Sequence, residues 1–324
     1  MRDNGRTRYV LRRTLAALLV IFIATTVNFL LFRAVPGDAS SSFGAVPGAT
    51  REVREQIRSD FGLGDSLPKQ YVRYMGELAH GNLGISFKDH EPVAGELLHA
   101  LKNTVPLVLA AVILAAVLGI WLGTFAAWRR GELVDHGLGM LGVFAYAAPI
   151  QWVGLMLILG FSGTFASGGL SDPFLGDVGW WERATDYLRH LALPVATMTI
   201  SLFGSFFILS RSAVVETLSE QYMLTARAKG LSEGRLRSRY ALRNAALPIS
   251  TLVGLTLGYI AGGAVLVETV FSWPGIGRAL FQAVADRDYP MLQGGFLVLT
   301  VSVVLATYLV DLLHLKLDPR IGTT

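Results

Sequence analysis

Six stretches of this chain contain no Asp, Glu, Lys or Arg: Thr14–Phe32, Asn103–Trp128, Gly137–Ser171, Leu191–Ser210, Asn244–Val267 and Met291–Val310. Each is at least 19 residues long. About 20 residues at a rise of 1.5 Å cross a ~30 Å hydrocarbon core. In lipid, backbone N–H and C=O groups must be satisfied within the segment, so these stretches are expected to be helices. Composition agrees: 52% of the 324 residues are hydrophobic and 16% are charged, against roughly 25% charged in soluble domains. The 35-residue stretch Gly137–Ser171 reads as one span ending near Phe161, followed by a Gly-rich loop. The expected fold is an all-α polytopic membrane protein with six transmembrane helices.

Orientation follows from basic residues near the spans. Arg2, Arg6, Arg8, Arg12 and Arg13 precede the first span. A cleaved signal peptide would have a shorter apolar run and an A-x-A site. Here "FRAVPGDAS" follows instead, so the segment reads as a retained anchor. With the N-terminus in the cytoplasm, Arg129 and Arg130 fall inside, as do Lys316 and Arg320 of the tail. The outside receives "SDPFLGDVGWWERATDYLR", with four acids against two bases, and residues 35–102, with nine acids against seven bases. Both termini are expected in the cytoplasm. The chain divides into 1–34 (N-terminus and first span), 35–102 (external segment) and 103–324 (a five-helix core).

Within the external segment, "REVREQI" places Val53 and Ile57 four apart behind Thr50, a candidate N-cap. "LPKQYVRYMGEL" places Tyr71, Tyr74, Met75 and Leu78 at helical spacing, with Pro68 suited to a first turn. Two short amphipathic helices are expected. About 65 residues is small for an independent domain, so the segment should pack on the membrane helices or on a partner.

Several chemistries lack their residues. There is no G-x-x-x-x-G-K-[ST] phosphate cradle, no H-E-x-x-H and no G-x-S-x-G. The chain has no Cys and six His, which leaves little for a His/Cys metal site and no disulfide framework. No span carries an ionisable group near its middle, where an ion-coupled carrier would need a ligand. Glu268 and Asp311 sit at span ends. These absences point to a conduit worked by other chains, with no catalytic residues and no metal of its own.

Such a conduit needs a rigid cytoplasmic element to receive the drive. The candidate is residues 211–244, and above all "EQYMLTARAKGLSEGRLRSRYALRNAALP". "SEQYMLTARAKG" favours helix, with Ser219 able to cap its start and Gly230 able to end it in the left-handed region. Ser232 can cap a second helix carrying Leu236, Tyr240 and Leu247, and Pro248 marks entry into the next span. Tyr222, Ala226 and Lys229 share one face, on which the Ala residues permit close approach of a partner. Arg237 reads as a solvated basic residue.

"TARAKGL" followed by "ALRNAALP" resembles the cytoplasmic EAA loop of ABC importer permeases, in the form found in the dipeptide/oligopeptide (and nickel) group. "VPGD", "GLGDSLPKQY", "HGNLGISF", "AAPIQWVGL", "LPVATM", "ETVFSWPGIGRALFQAVADRDYPMLQG" and "DLLHLKLDPRI" extend the resemblance along the whole chain, in the order of the B-type subunit. The sequence departs from the common loop by reading Leu-Thr-Ala-Arg where Glu-Ala-Ala is usual. The resemblance implies the type I importer arrangement of six helices in the bacterial plasma membrane. It implies a coupling helix formed by Tyr222, Thr225, Ala226, Arg227, Ala228, Lys229 and Gly230. It also implies a homologous second permease subunit, two ATPase subunits and an external substrate-binding protein. ATP and Mg would lie on the ATPases, with no cofactor on this chain. Membrane lipid is a further partner, and nucleic acid is none. Peptide is the leading substrate class, with nickel chelates or another small solute as the alternative. An ion-coupled secondary carrier is the third reading, disfavoured by the missing ion site.

Two small-residue patterns bear on packing and path. Gly254, Gly258 and Gly262 recur every four residues, as do Gly119 and Gly123. Such stripes let membrane helices approach closely, either within the chain or at the second permease. Thr197, Ser201 and Ser205 form a polar stripe that either lines the translocation path or bonds its own helix backbone. "FSWPGIGRALF" is expected to form an interfacial turn with Trp273 at headgroup level.

Overall fold

The computed structural model describes residues 2–34, 65–258 and 264–317. "VPGD", the "REVREQI" helix and Gly262 lie outside the described residues. The described elements are helices: α1 (Arg2–Ala34), α2 (Leu67–Ala79), α3 (Val93–Trp128), α4 (Leu133–Ala147), α5 (Ile150–Phe161), α6 (Trp180–Ser219), α7 (Gln221–Ala228), α8 (Glu233–Arg235), α9 (Leu242–Gly258), α10 (Val265–Val270), α11 (Ile276–Asp286) and α12 (Tyr289–Leu317).

Among the described residues, four helices are long and apolar enough to cross a membrane: Thr7–Arg33, Val93–Trp128, Trp180–Leu218 and Tyr289–Leu312. The pair α4 and α5, which the sequence reading took as one continuous span, has the length and apolarity for a fifth crossing only if the two helices are counted together. The two halves are instead bent by 104°. Ala148 and Pro149 sit at the elbow, both with extended backbone. Proline lacks the N–H that would continue the α4 ladder, and it disfavours helix at the residue before it. The remaining expected span coincides with α9, which has 17 described residues and is followed by 259–263.

α3 and α6 form the centre of the molecule. Val108, Ala111, Val112 and Ala115 of α3 are buried, while Ile113, Val117 and Trp121 point outward. The buried side meets Leu193, Met198 and Phe206 of α6. Gly119 lies against Phe206 and the backbone of Phe207, and Gly123 against Ser210. Ser210 Oγ donates to the Gly119 carbonyl at 3.0 Å. Both glycines therefore serve packing within the chain. Gly254 does the same in α9, where an added Cβ would meet Val310 of α12.

The two ends of the bundle differ. At one end, α2 lies on α1, with Phe29 5.3 Å from the Tyr71 ring and Thr26 hydroxyl 2.7 Å from that of Tyr71. The same end holds α10, α11 and the start of α12. Asp288 precedes α12 and accepts from the Met291 N–H through Oδ1 at 3.1 Å. Its Oδ2 accepts from Ser86 Oγ at 2.6 Å and from the Phe87 N–H at 3.0 Å. Lys88 pairs with Asp286 at 2.9 Å, and that carboxylate holds the ammonium pKa above its usual value. The opposite end holds the α3–α4 turn, α7 and α8. There Arg13 of α1 also pairs with Asp311 of α12 at 3.1 Å.

Candidate coupling site

α6 runs 40 residues to Ser219 and then breaks. Ser219 was expected to cap the following helix. Its hydroxyl instead donates back to the Glu216 carbonyl at 2.6 Å, and extended Glu220 makes the turn into α7. α7 spans eight residues. Gly230 follows with φ +72°, the left-handed conformation that only Gly adopts freely. The Gly230 N–H donates to the Arg227 carbonyl and the Leu231 N–H to that of Ala226, closing the helix end. Ser232 stands at the N-cap position of α8. A π-type turn over Leu236–Ala241 then leads into α9, which continues through Pro248. Pro248 lies inside this helix and does not mark its start.

The inner face of this unit is apolar. Met223 and Ala226 of α7 pack with Ala127, Val214, Leu236, Ala241 and Ala245. Ala226 is 4% exposed. The expectation that Ala226 faces a partner is therefore corrected: it is held against the chain's own core, three positions from Met223, which is fully buried. The face turned outward carries Tyr222, Leu224, Thr225, Arg227, Ala228 and Lys229. Leu224 is 62% exposed. An eight-residue helix holds about two turns, too few for periodicity to tell the inner face from the outer, so Leu224 gave no signal in the sequence.

Polar contacts fix the unit to the bundle. Asn244 Nδ2 donates to the Tyr222 hydroxyl at 2.9 Å and to the Tyr240 carbonyl at 3.0 Å. The Arg237 guanidinium stacks over the Trp128 ring at 4.5 Å. This residue is thus a cation–π contact, where the sequence suggested only a solvated charge. Just above, Arg211 donates to Asp135 through Nε and Nη2, at 2.6 and 2.8 Å. The Gly131 N–H adds a third bond to Asp135 at 3.0 Å. The α3–α4 turn, α4 and the end of α6 are thereby joined beside α7.

The polar stripe of α6 is divided. Thr197 is buried, and its hydroxyl donates to the Leu193 carbonyl at 2.8 Å. Ser201 is half-buried and donates to the Thr197 carbonyl at 3.1 Å. Ser205 is also half-buried.

At the other end, Glu268 is fully buried. Its Oε1 accepts from Thr104 Oγ1 at 2.6 Å and its Oε2 from the Arg278 N–H at 2.9 Å. The same Thr104 oxygen accepts from the Ile276 N–H at 2.9 Å. Trp273, placed at headgroup level by the sequence reading, is instead fully buried, and its indole N–H donates to the Asn103 carbonyl at 3.1 Å. Asn103 Nδ2 returns a bond to the Pro274 carbonyl at 2.9 Å. This loop is therefore pinned to α3 at both Asn103 and Thr104.

Two family profiles cover the chain. Residues 119–323 match the binding-protein-dependent transport system inner membrane component, and residues 6–108 match the N-terminal region of such membrane components. Over 97% of its length the chain is 37% identical to the di/tripeptide transport system permease protein DppB of Pseudomonas aeruginosa, covering 98% of that protein. It is equally similar, at 37% with the same coverage, to the dipeptide transport system permease protein DppB of Escherichia coli. A probable peptide ABC transporter permease of Sinorhizobium fredii is 36% identical over 97% of this chain and 98% of its own. With more than half of its length matched by one profile and near-complete coverage of these relatives, the chain belongs to the inner membrane components of binding-protein-dependent transport systems, the permease subunits of ABC importers.

Proposed function

We propose that this permease is one half of the translocation path of an ATP-driven importer of short peptides. Peptide as the substrate class is supported by relatives named as peptide permeases that align along nearly the whole chain. The drive enters through α7. The observation that carries this assignment is its two-sidedness: Met223 and Ala226 are locked into the bundle while Leu224 stands in the open. A partner that pushes on the outer face moves α6 and α9 through the inner one. Two ATPase subunits supply that push, with ATP and Mg on those chains. A homologous second permease completes the path, and an external binding protein delivers the peptide. Ser201 and Ser205 face the path, whereas Thr197 serves packing. With six spans both termini lie on one side, and the basic residues before the first span favour the cytoplasm.

Reconstitution tests this reading. The chain is assembled in liposomes with a second permease, two ATPases and a binding protein from the same organism. ATP-dependent uptake of dialanine and dialanine-stimulated ATP hydrolysis are the expected results. Uptake of a nickel–histidine chelate without dialanine uptake would replace peptide by the alternative substrate.

A further inference from the structure

A groove of about 650 Å³ lies at the α10–α11 end of the bundle, between the beginning of α3 and that of α11. Glu91, Glu96 and His99 line one wall, and Arg278 and Gln282 the other. Glu96 Oε1 is buried yet accepts no hydrogen bond. Arg278 forms no ion pair among the described residues. Its backbone is tied down, because its N–H is held by Glu268. A buried carboxylate oxygen without a donor is costly unless a ligand supplies one. Here opposite charges line one groove without pairing with each other. These five residues fall outside the charge-free stretches, and the groove lies at the end of the bundle that holds α10 and α11.

The chemistry that satisfies both walls is a donor cation at Glu96 and a carboxylate at Arg278, carried on one small molecule. Ligand sites commonly measure roughly 300–1,000 Å³, and a short peptide with free ends supplies both groups. We infer that this groove is a substrate station of the permease itself, taking the α-ammonium of an unblocked peptide at Glu96 and its terminal carboxylate at Arg278. The inference rests on the peptide reading above and adds where this chain holds the peptide. Gln282 and His99 supply donors for the peptide carbonyls between the ends. The station recognises termini and leaves side chains unread.

The test is a cycle that pairs changes in the protein with changes in the ligand. The permease–ATPase complex is placed in nanodiscs without its binding protein, and equilibrium binding of radiolabelled dialanine, N-acetyl-dialanine and dialanine amide is measured. Wild type should bind both capped peptides at least tenfold more weakly than dialanine. Glu96→Gln should lose tenfold for dialanine and then show no further penalty for acetylation. Arg278→Gln should behave likewise toward amidation. The wild-type comparison decides the matter even if a variant assembles poorly: equal binding of free and capped peptides overturns the station. Acetylation penalties that persist undiminished in Glu96→Gln overturn it too. So does a Glu96→Gln complex that binds dialanine normally but no longer captures the binding protein, since the groove is then a protein docking face. Dialanine uptake by the complete system, measured on the same preparation, separates the two readings. Absent uptake defeats the peptide reading, whereas uptake with unchanged capping penalties defeats only the station.

Discussion

The Arg211 guanidinium grips both oxygens of the Asp135 carboxylate, 76 residues away in the chain. Asp135 is 4% exposed and Arg211 about a third. Arg211→Ala leaves a desolvated carboxylate held by the Gly131 N–H, a loss of about 2 kcal/mol. The midpoint of heat-induced aggregation of the detergent-purified chain should fall. The double substitution Asp135→Asn with Arg211→Gln should fall less, because it removes the stranded charge along with its partner. A double variant as unstable as Arg211→Ala would show that the buried charge is not the cause.

The two faces of α7 should respond differently. Ala226→Leu forces a larger side chain among Met223, Leu236 and Ala241, and overpacking of this kind costs about 1–3 kcal/mol. Yield and heat resistance of the chain itself should drop. Leu224→Asp alters only the open face, so the chain should assemble in the membrane as before. ATPase co-purification and uptake should then fall at least tenfold. Normal uptake by Leu224→Asp would move the coupling contact away from this face.

Close approach of α3 and α6 gives a third expectation. A Cβ at Gly119 would lie 2.5 Å from Phe206 Cβ and 2.9 Å from the Phe207 backbone nitrogen. Gly119→Ala should destabilise the chain by about 1–3 kcal/mol. Gly139 in α4 has nothing within 4 Å of the same position, and Ala there improves helix propensity. Gly139→Ala should match or exceed wild type in thermal aggregation. Equal losses for the two variants would mean that crowding against α6 does not set the cost.

Topology can be read with single cysteines, since the chain has none. In intact cells a membrane-impermeant maleimide should label Asp89→Cys and spare Glu233→Cys until the membrane is permeabilised. Both positions are exposed. Labelling of Glu233→Cys in unbroken cells would invert the orientation and remove α7 from the cytoplasm.

Much of the fold was legible because lipid imposes a coarse rule. A run of uncharged residues long enough to cross is visible in one sequence, and α1, α3, α6 and α12 each contain one. The elbow at Ala148–Pro149 was hidden, because a charge-free run looks the same whether straight or broken. The short helix after α6 and its end at Gly230 were legible from helix propensity and from the glycine. Its inner and outer faces were not, since Met223 and Leu224 are both apolar and only the tertiary fold decides which is covered. The partnership of Thr104 with Glu268, and that of Ser86 with Asp288, join residues 164 and 202 positions apart. No local pattern announces such pairs.

The 104° elbow between α4 and α5 carries a consequence for the surrounding bilayer. Half-helices of 15 and 12 residues are ~22 and ~18 Å long at 1.5 Å per residue, so neither reaches across alone. Acyl chains offer no hydrogen bonds to backbone groups released where a helix stops. Where such an elbow lies at membrane depth, protein or water has to take up the hydrogen bonds released at Ala148–Pro149. Large apolar side chains stand exposed along α1 and the outer side of α3, so these faces suit acyl chains in a way that the elbow does not.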